Sequence, residues 1–348
     1  MKNSLICLSV LGLCAAAHAQ SSVTLSGTAD ATLTRGTGSL TSRSGLGSGG
    51  NSTSKFALRG TENLGGGLSA LFWLESGFLI DSGSGQATSA NNQPGGTTAV
   101  SGVTFNRRAI VGLAGPWGEV HLGRDWAPMY DAYTGRYDPF GVGVGIALNY
   151  SAGITSQNGA VRVSNAVGYT TPKVLGGLSA NLQHWAGENP SGTATGRDGT
   201  GHGMRLNYDS AAVSAAAHWG RTDYAAGDAV YRALAASYNF GPAKASAIVN
   251  HDSQGVLASK GWLVGGWMPL GAGEVKASYS RHRSDAAGEP TAKKLALGYV
   301  HNLSKRTALY TTLAHVRNSG GARQALNGAT TGPNQSSRGF DLGIRHNF

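Results

Sequence analysis

Single basic side chains recur within alternating polar and apolar segments of this 348-residue chain. Lys55 and Arg59 alternate with two bulky apolar residues, and Arg162 stands between two valines. Successive side chains of a β-strand point to opposite faces, so each of these cations lies on the face opposite its apolar neighbours. The same parity places Arg108 opposite an alanine and a valine. Fixed cations on one polar face attract anions, so anion binding or anion passage is the chemistry that these residues could perform.

Other chemistries find weaker support in the sequence. The ten histidines stand singly, without an H-x-x-x-H pair, and no G-x-S-x-G nucleophile elbow is present. The glycine-rich string Gly141–Gly145 lacks a nucleotide-binding pattern and is typical of a loop. We therefore expect no catalytic residue, no metal site and no cofactor.

The first residues predict a secretory signal peptide over residues 1–19. Lys2 provides a positive start, Leu5–Leu13 an apolar stretch and Ala17–Ala19 an A-x-A cleavage site. A lipoprotein signal at Cys14 is a weaker alternative, because a bulky leucine precedes that cysteine. Both cysteines fall inside this segment, so disulfides and thiolate metal sites are excluded from residues 20–348.

The charge of the mature chain narrows the classes of partner. Removal of one lysine leaves 27 basic and 18 acidic residues, a net charge of +9. Nucleic acid is not an expected partner, because the chain is exported and its basic residues are dispersed singly. An excess of positive charge in an exported protein favours anionic solutes or acidic surfaces.

Period-two alternation dominates the chain after the signal peptide. The segments are about 9–13 residues long, above the usual length of a soluble strand. No apolar run after the signal peptide reaches the roughly 20 residues of a spanning helix, so a membrane protein with this pattern must be a closed barrel. A soluble sandwich would show similar alternation. Aromatic residues near the segment ends favour the membrane barrel, as candidate interface girdles: Trp73, Trp117, Tyr169, Trp185, Trp219, Tyr238 and Trp267.

Short and long connections alternate along the chain. Seven short turns and eight longer polar stretches, His251–Lys260 among them, join sixteen expected strands. Bacterial barrels have even strand numbers, short periplasmic turns and longer outer loops. We therefore predict an all-β fold: one transmembrane antiparallel 16-stranded β-barrel over residues 20–348, with a water-filled lumen. The weakest strand patterns are Gly143–Tyr150 and Val230–Phe240.

Five motifs, in this order, resemble the general porins of β-proteobacteria, a Gram-negative family with anion-selective members. The resemblance spans the whole mature chain. Each motif alone is modest, and the set is specific. The motifs are Ser22–Gly27, Phe56–Gly67, Phe105–Ala109, Gly118–Asp125 and Gly343–Phe348.

This resemblance implies a homotrimer in the outer membrane and a third outer loop folded into the lumen. Partners would be outer-membrane lipid, lipopolysaccharide and small anionic solutes. Lys55, Arg124 and Arg162 match pore-lining basic positions of the family, and Phe348 matches its C-terminal assembly signal. The constriction loop would include Trp126, Tyr130, Asp131, Arg136 and Asp138.

Two positions depart from the simplest pattern. Arg124 shares its parity with two outward-facing apolar residues, so the inward position implied by the resemblance requires a bend where the third loop begins. Pro139 occupies the position before Phe-Gly where general porins often carry a glutamate, with Asp138 one residue earlier. Asp131, Arg136 and Asp138 could instead tie the loop to the wall, and Trp126 and Tyr130 could instead pack the base of the loop.

The sequence thus predicts a diffusion channel that prefers anions, lined by Lys55, Arg59, Arg108, Arg124 and Arg162. Alternatives are a substrate-specific porin for small organic or inorganic anions, an adhesin or receptor acting through its loops, and a barrel lipase or protease. Three further arginines are expected to be ordinary solvated charges: Arg107, Arg205 and Arg281.

Overall fold

The computed structural model describes residues 22–93, 97–98, 102–133, 135–152 and 161–348. The expected signal peptide, residues 1–19, lies outside the described residues. Sixteen barrel strands form one closed antiparallel sheet, which confirms the predicted fold class. The strands are Ser22–Thr37 (β1), Ser42–Ser48 with Lys55–Gly65 (β2), Leu68–Gly77 (β3), Arg108–Gly115 (β4), Gly118–Trp126 (β5), Arg162–Thr170 (β6), Leu178–Trp185 (β7), Gly201–Asp209 (β8), Val213–Thr222 (β9), Ala229–Asn239 (β10), Lys244–Gln254 (β11), Leu257–Leu270 (β12), Gly273–Ser284 (β13), Thr291–Asn302 (β14), Thr307–Ser319 (β15) and Ser337–Asn347 (β16).

Strand β2 has two segments that pair with the same neighbour. Its first segment pairs with the second half of β1, and its second segment pairs with the first half of β1. Between them the chain leaves the sheet, beginning at Gly49 with a φ of 82°. Asp30 stabilises this excursion, because its carboxylate accepts hydrogen bonds from the backbone N–H groups of Asn51 at 3.1 Å and Ser52 at 2.6 Å.

The barrel closes between its first and last strands. Strands β1 and β16 pair antiparallel from Thr28 opposite Asn347 to Thr37 opposite Arg338. The backbone N–H of Gly27 donates to the carbonyl of Phe348 at 2.9 Å. A closed sheet leaves no strand edge unpaired, as a bilayer core requires.

Alternation sorts the side chains of each strand onto two walls. On β11, Val249 is 51% exposed and faces outward, whereas Asn250 is 6% exposed and faces the lumen. Polar groups on the inner wall pack against other inner side chains and against the third loop, while the apolar outer wall is bare. This arrangement is that of a barrel whose outer surface contacts lipid.

Three of the aromatic residues expected in interface girdles face the lumen instead. The Trp73 ring lies beneath the Arg108 guanidinium, Trp185 is fully buried, and the Lys244 ammonium lies 4.6 Å from the Trp267 ring centroid. The girdle assignment was wrong for these three, because position near a strand end does not reveal which wall a residue faces. Tyr169, Trp219 and Tyr238 share the parity of outward apolar neighbours and face outward.

Two expected connections differ in the structure. The stretch His251–Lys260 was predicted as a long loop, but β11 and β12 pair as far as Gln254 opposite Leu257 and are joined by a tight turn. Gly143–Tyr150 is not a strand. It belongs to the third loop, residues 127–161, and leads into the single-turn helix α1, Leu148–Ser151.

The third loop folds into the lumen, as predicted. It begins with a 3₁₀ helix, Pro128–Tyr133, and packs along the inner wall. Its first half buries Tyr133 and Tyr137 against Ile248 and Leu263 of β11 and β12. Its second half buries Phe140, Val144 and Leu148 against alanines and a valine of β14 and β15. Among the described residues, no helix is long and apolar enough to cross a membrane.

Candidate functional site

Two cations and one carboxylate meet on the inner wall beside the third loop. The Lys55 ammonium lies 4.0 Å from Glu75 Oε1, and the Arg107 Nε lies 2.5 Å from the same oxygen. Strand β2 positions Lys55, β3 positions Glu75, and Arg107 immediately precedes β4. The side chain of Lys55 is 34% exposed, whereas that of Arg107 is 6% exposed. The expectation that Arg107 is an ordinary solvated charge was wrong, because Glu75 draws it into the wall.

Trp126, at the root of the third loop, gathers two guanidinium groups. The Arg162 guanidinium carbon lies 4.1 Å from the Trp126 ring centroid, and that of Arg107 lies 5.3 Å away. Trp126 itself stacks on Tyr130 with ring centroids 4.7 Å apart and an interplanar angle of 11°. Tyr150 packs edge-on against Tyr130 at 5.4 Å. Lys55, Arg107 and Arg162, which we call the basic cluster, are thereby assembled from three separate parts of the chain.

Arg59 and Arg108 form a separate group. Both guanidinium groups lie over Trp73, at 5.4 Å and 4.5 Å from the ring centroid. Arg108 is also paired with Asp125 at 2.5 Å, so its charge is partly compensated. His121 approaches the same carboxylate at 3.2 Å. Both arginines thus lie on the inner wall, as parity predicted, and Arg108 stands opposite Glu75, next to the basic cluster.

Arg124 is held by neutral acceptors of the neighbouring backbone and loops. Its guanidinium donates to the carbonyl of Asn106 at 2.7 Å, to the hydroxyl of Ser164 at 2.8 Å and to the carbonyl of Ser89 at 3.4 Å. The register between β5 and β6 shifts between Gly123 and Asp125, but β5 stays in register with β4, where Arg124 stands opposite Ala109 on the parity of the outer wall. Arg124 therefore lies beneath the loop that carries Ser89.

The charged residues of the third loop are bound to the wall. Asp131 lies 3.3 Å from Arg205 and 3.9 Å from His218. Burial alone would raise the pKa of Asp131, but hydrogen bonding to His218 and the charge of Arg205 hold it below its usual value. Arg136 pairs with Asp209 and donates to Ser214 at 3.0 Å.

Asp138 is fully buried inside the third loop. Its two carboxylate oxygens accept the backbone N–H groups of Phe140 at 3.0 Å and Ala147 at 2.8 Å. Burial raises the pKa of this carboxyl. Asp138 shapes the loop from within and presents no accessible negative charge to the lumen.

Lys294 anchors the tip of the third loop, a role that the sequence did not suggest. Its buried ammonium donates to the carbonyls of Val144, at 3.2 Å, and Ile146. Asp341 accepts the backbone N–H of Val144 at 2.9 Å. The only sequence signal was a lysine on the inward parity of β14, beside an outward lysine, and alternation alone does not distinguish an anchor from a lumen charge.

Comparisons with known proteins identify the family. A Gram-negative porin family matches residues 5–321. Outer membrane porin protein 32 of Delftia acidovorans is 38% identical over the full length of both chains. The chain belongs to the Gram-negative porin family.

Further likenesses agree with this assignment. An outer membrane porin protein of Bordetella pertussis is 28% identical to this porin over the full length of both chains. The solved anion-selective porin from Comamonas acidovorans is 34% identical, with a TM-score of 0.82, covering 94% of this chain and 100% of that one. A structure of the trimer form of OmpT from Vibrio cholerae, 12% identical with a TM-score of 0.66, covers 94% of this chain and 99% of its own and shares the fold.

The family and the barrel together establish the setting of the site. This porin is a channel protein of the Gram-negative outer membrane, and its lumen is the water-filled path. The described residues contain no group of three histidine, cysteine or acidic side chains that could hold a metal ion.

Proposed function

We propose that this porin is a diffusion channel for small hydrophilic solutes that prefers anions. The observation that carries the proposal is the composition of the basic cluster: three cations converge at the root of the third loop, and Glu75 is the carboxylate paired with two of them. The likeness to a solved porin described as anion-selective supports it.

The physical argument rests on dehydration in a narrow tube. An anion that enters loses part of its hydration shell, and fixed cations offset that loss, whereas a cation meets repulsion. Three acids inside the barrel offer little opposition, because Asp30, Asp138 and Asp341 are each at most 1% exposed. Arg162 and Arg59 have no carboxylate within 4.0 Å among the described residues.

Within this proposal Lys55, Arg107 and Arg162 set selectivity beside Trp126 and Tyr130. Arg59 and Arg108 form a second basic zone around Trp73. Asp131, Arg136 and Asp138 hold the third loop in place, and Arg124 supports the rim. The proposal includes that the third loop, from Trp126 to Asp138, narrows the lumen.

Reversal potentials in planar bilayers under a KCl gradient test the proposal. The unmodified protein should show anion preference, and the double variant Lys55→Glu with Arg162→Glu should shift the potential toward cation preference. The matched control, Lys173→Glu with Arg306→Glu, changes two exposed turn residues and should leave the potential unchanged. Cation preference in the unmodified protein would contradict the proposed anion preference but not the channel activity.

The proposal extends to processing, assembly and chemistry. Residues 1–19 are a cleaved signal peptide and residues 20–348 the mature barrel, which acts as a homotrimer and not as an enzyme.

Family membership supports the trimer. Migration on SDS gels with and without boiling tests it, since a trimer that resists SDS should collapse to the monomer band only after heating. A single band at the monomer position in both lanes would contradict it.

A further inference from the structure

Strand β6 carries a bulge near its first residue. Two residues of β5, Gly123 and Asp125, pair with Ala166 and Val163 of β6. The two β5 residues are two positions apart, whereas their partners are three positions apart, so β6 contains one extra residue. Within this stretch Asn165 has a φ of 57°, in the left-handed region. A bulge of this kind bends its strand and interrupts the regular pairing.

The bulge decides which residue of β6 stands beside Trp126. With the bulge, Arg162 pairs directly with Trp126, and its guanidinium carbon lies 4.1 Å from the ring centroid. Without the extra residue, pairing continued from Gly123 and Ala166 would place Val163 opposite Trp126. Because a slip of one residue exchanges the two faces of a strand, loss of the bulge would withdraw Arg162 from the basic cluster.

A side chain from the loop between β3 and β4 holds this bulge. The backbone N–H of Ser164 donates to the Asn92 side-chain oxygen at 2.7 Å, and the Asn92 amide nitrogen donates to the Ser164 carbonyl at 3.2 Å. A side-chain amide presents both a donor and an acceptor, so Asn92 pairs with Ser164 as the backbone of a further strand would. The same nitrogen donates at 3.1 Å to the carbonyls of Ala186, after β7, and Gly199, before β8.

Neighbouring contacts fix Asn92 in this position. The Ser164 hydroxyl donates to the carbonyl of Ser89 at 2.6 Å, and the Tyr224 hydroxyl donates to the carbonyl of Asn92 at 2.8 Å. Asn92 is 2% exposed, and its φ of 59° is one that asparagine adopts more readily than most residues. Since the site is buried, removal of the amide would leave several backbone groups without a partner.

We propose that Asn92 is a positioning residue for ion selectivity, which holds Arg162 on Trp126 through the β6 bulge and so keeps the basic cluster assembled. Asn92 is neutral and lies outside the cluster, so its replacement leaves every charge of the cluster in the chain. The functional consequence rests on the proposed anion preference, whereas the structural role rests on the contacts of Asn92 alone.

Two variants separate the hydrogen bonds of Asn92 from its backbone conformation. Asn92→Gly removes the amide and keeps the left-handed conformation, which glycine adopts without strain. Asn92→Asp keeps the size of the side chain, but an ionised carboxylate cannot donate to the three carbonyls. The matched control is Asn334→Gly in the last outer loop, because Asn334 has a similar φ of 64°.

Hydrogen exchange of the detergent-solubilised protein, followed by mass spectrometry, measures the state of the bulge. Amides of residues 162–166 should exchange about tenfold faster in both Asn92 variants, because local opening becomes easier when these hydrogen bonds are lost. The control should exchange there at the rate of the unmodified protein. Unchanged exchange in Asn92→Gly would overturn the positioning role.

Reversal potentials under a KCl gradient measure the functional consequence. The ratio of chloride to potassium permeability should fall by about half in Asn92→Gly, although no charge has changed, and should be unaltered in the control. In the Arg162→Gln background Asn92→Gly should cause no further shift, because its effect passes through Arg162.

An unchanged potential in Asn92→Gly, or an equally large shift in the Arg162→Gln background, would overturn the inference. A lack of anion preference in the unmodified protein would instead overturn the proposed function. The exchange rates decide the structural role of Asn92 independently of that result.

Discussion

The guanidinium carbon of Arg162 lies 4.1 Å from the ring centroid of Trp126. Arg162 begins β6, whereas Trp126 ends β5, and the third loop runs between them. The same ring also lies 5.3 Å from the Arg107 guanidinium carbon. Trp126 thus holds two mutually repelling cations at one place, because the face of an indole ring attracts positive charge.

Replacement of Trp126 should therefore alter selectivity without removing a charge. A cation–π contact stabilises a guanidinium by about 0.5–2 kcal/mol, so Trp126→Leu should let Arg162 and Arg107 spread and should weaken anion preference. Trp126→Phe should retain more of that preference. The measurement is the reversal potential under a KCl gradient. Trp117→Leu, in an exposed turn, serves as the control, and an unchanged potential in Trp126→Leu would refute a positioning role.

Lys294 should determine how firmly the third loop is held. Lys294→Met removes a buried donor from the carbonyls of Val144 and Ile146 and should cost about 1.5–3 kcal/mol of stability. Single-channel records should show a noisier and larger conductance, because the loop tip is released from β14. Lys293→Met, the next residue on the opposite wall, is the matched control. Identical noise in both variants would show that the loop does not depend on this anchor.

Asp131 should make stability depend on pH in a defined direction. Its folded pKa is lowered, so its contribution is fully present above the unfolded value of about 4 and is lost as the pH falls through the folded pKa. Asp131→Asn should lower the free energy of unfolding by about 1–3 kcal/mol at pH 7, and the difference should shrink in acid.

Urea unfolding in detergent across this pH range would measure the effect. Asp285→Asn, on an exposed outer loop, should differ little from the unmodified protein at either pH. A deficit in Asp131→Asn that stays constant as the pH falls would mean that the carboxylate charge contributes nothing.

Gly27 should be needed for barrel closure. A Cβ at this position would lie 2.3 Å from the Phe348 ring and 2.7 Å from the carbonyl oxygen of Lys55. Gly27→Ala should therefore force apart the pairing of β1 with β16, at a cost of about 1–3 kcal/mol. Gly45→Ala on β2 is the control, since a Cβ there meets nothing within 4 Å. The fraction of heat-modifiable folded protein on gels should fall in the first variant alone.

Besides its place at the barrel closure, Phe348 is expected to be the C-terminal signal that the assembly machinery recognises. The structure of the closed barrel does not test this second role. Phe348 is 46% exposed, so it is partly accessible in the folded chain. Phe348→Ala should reduce the yield of folded protein in the outer membrane more than the yield of refolding in detergent, because only the first process involves the assembly machinery.

The sequence by itself determined the barrel, because strand alternation is a local property. The apolar or polar character of its neighbours indicates which wall a strand residue faces. The inward positions of Lys55, Arg59 and Arg108 could therefore be predicted from a few residues on either side.

Only the tertiary structure decided which cations meet. Arg107 joins Glu75 and Trp126 across 32 and 19 positions of the chain, and Lys294 reaches a carbonyl 150 residues away. Alternation repeats identically in every strand, so it fixes the wall that a residue faces but carries no information on which distant side chain lies beside it.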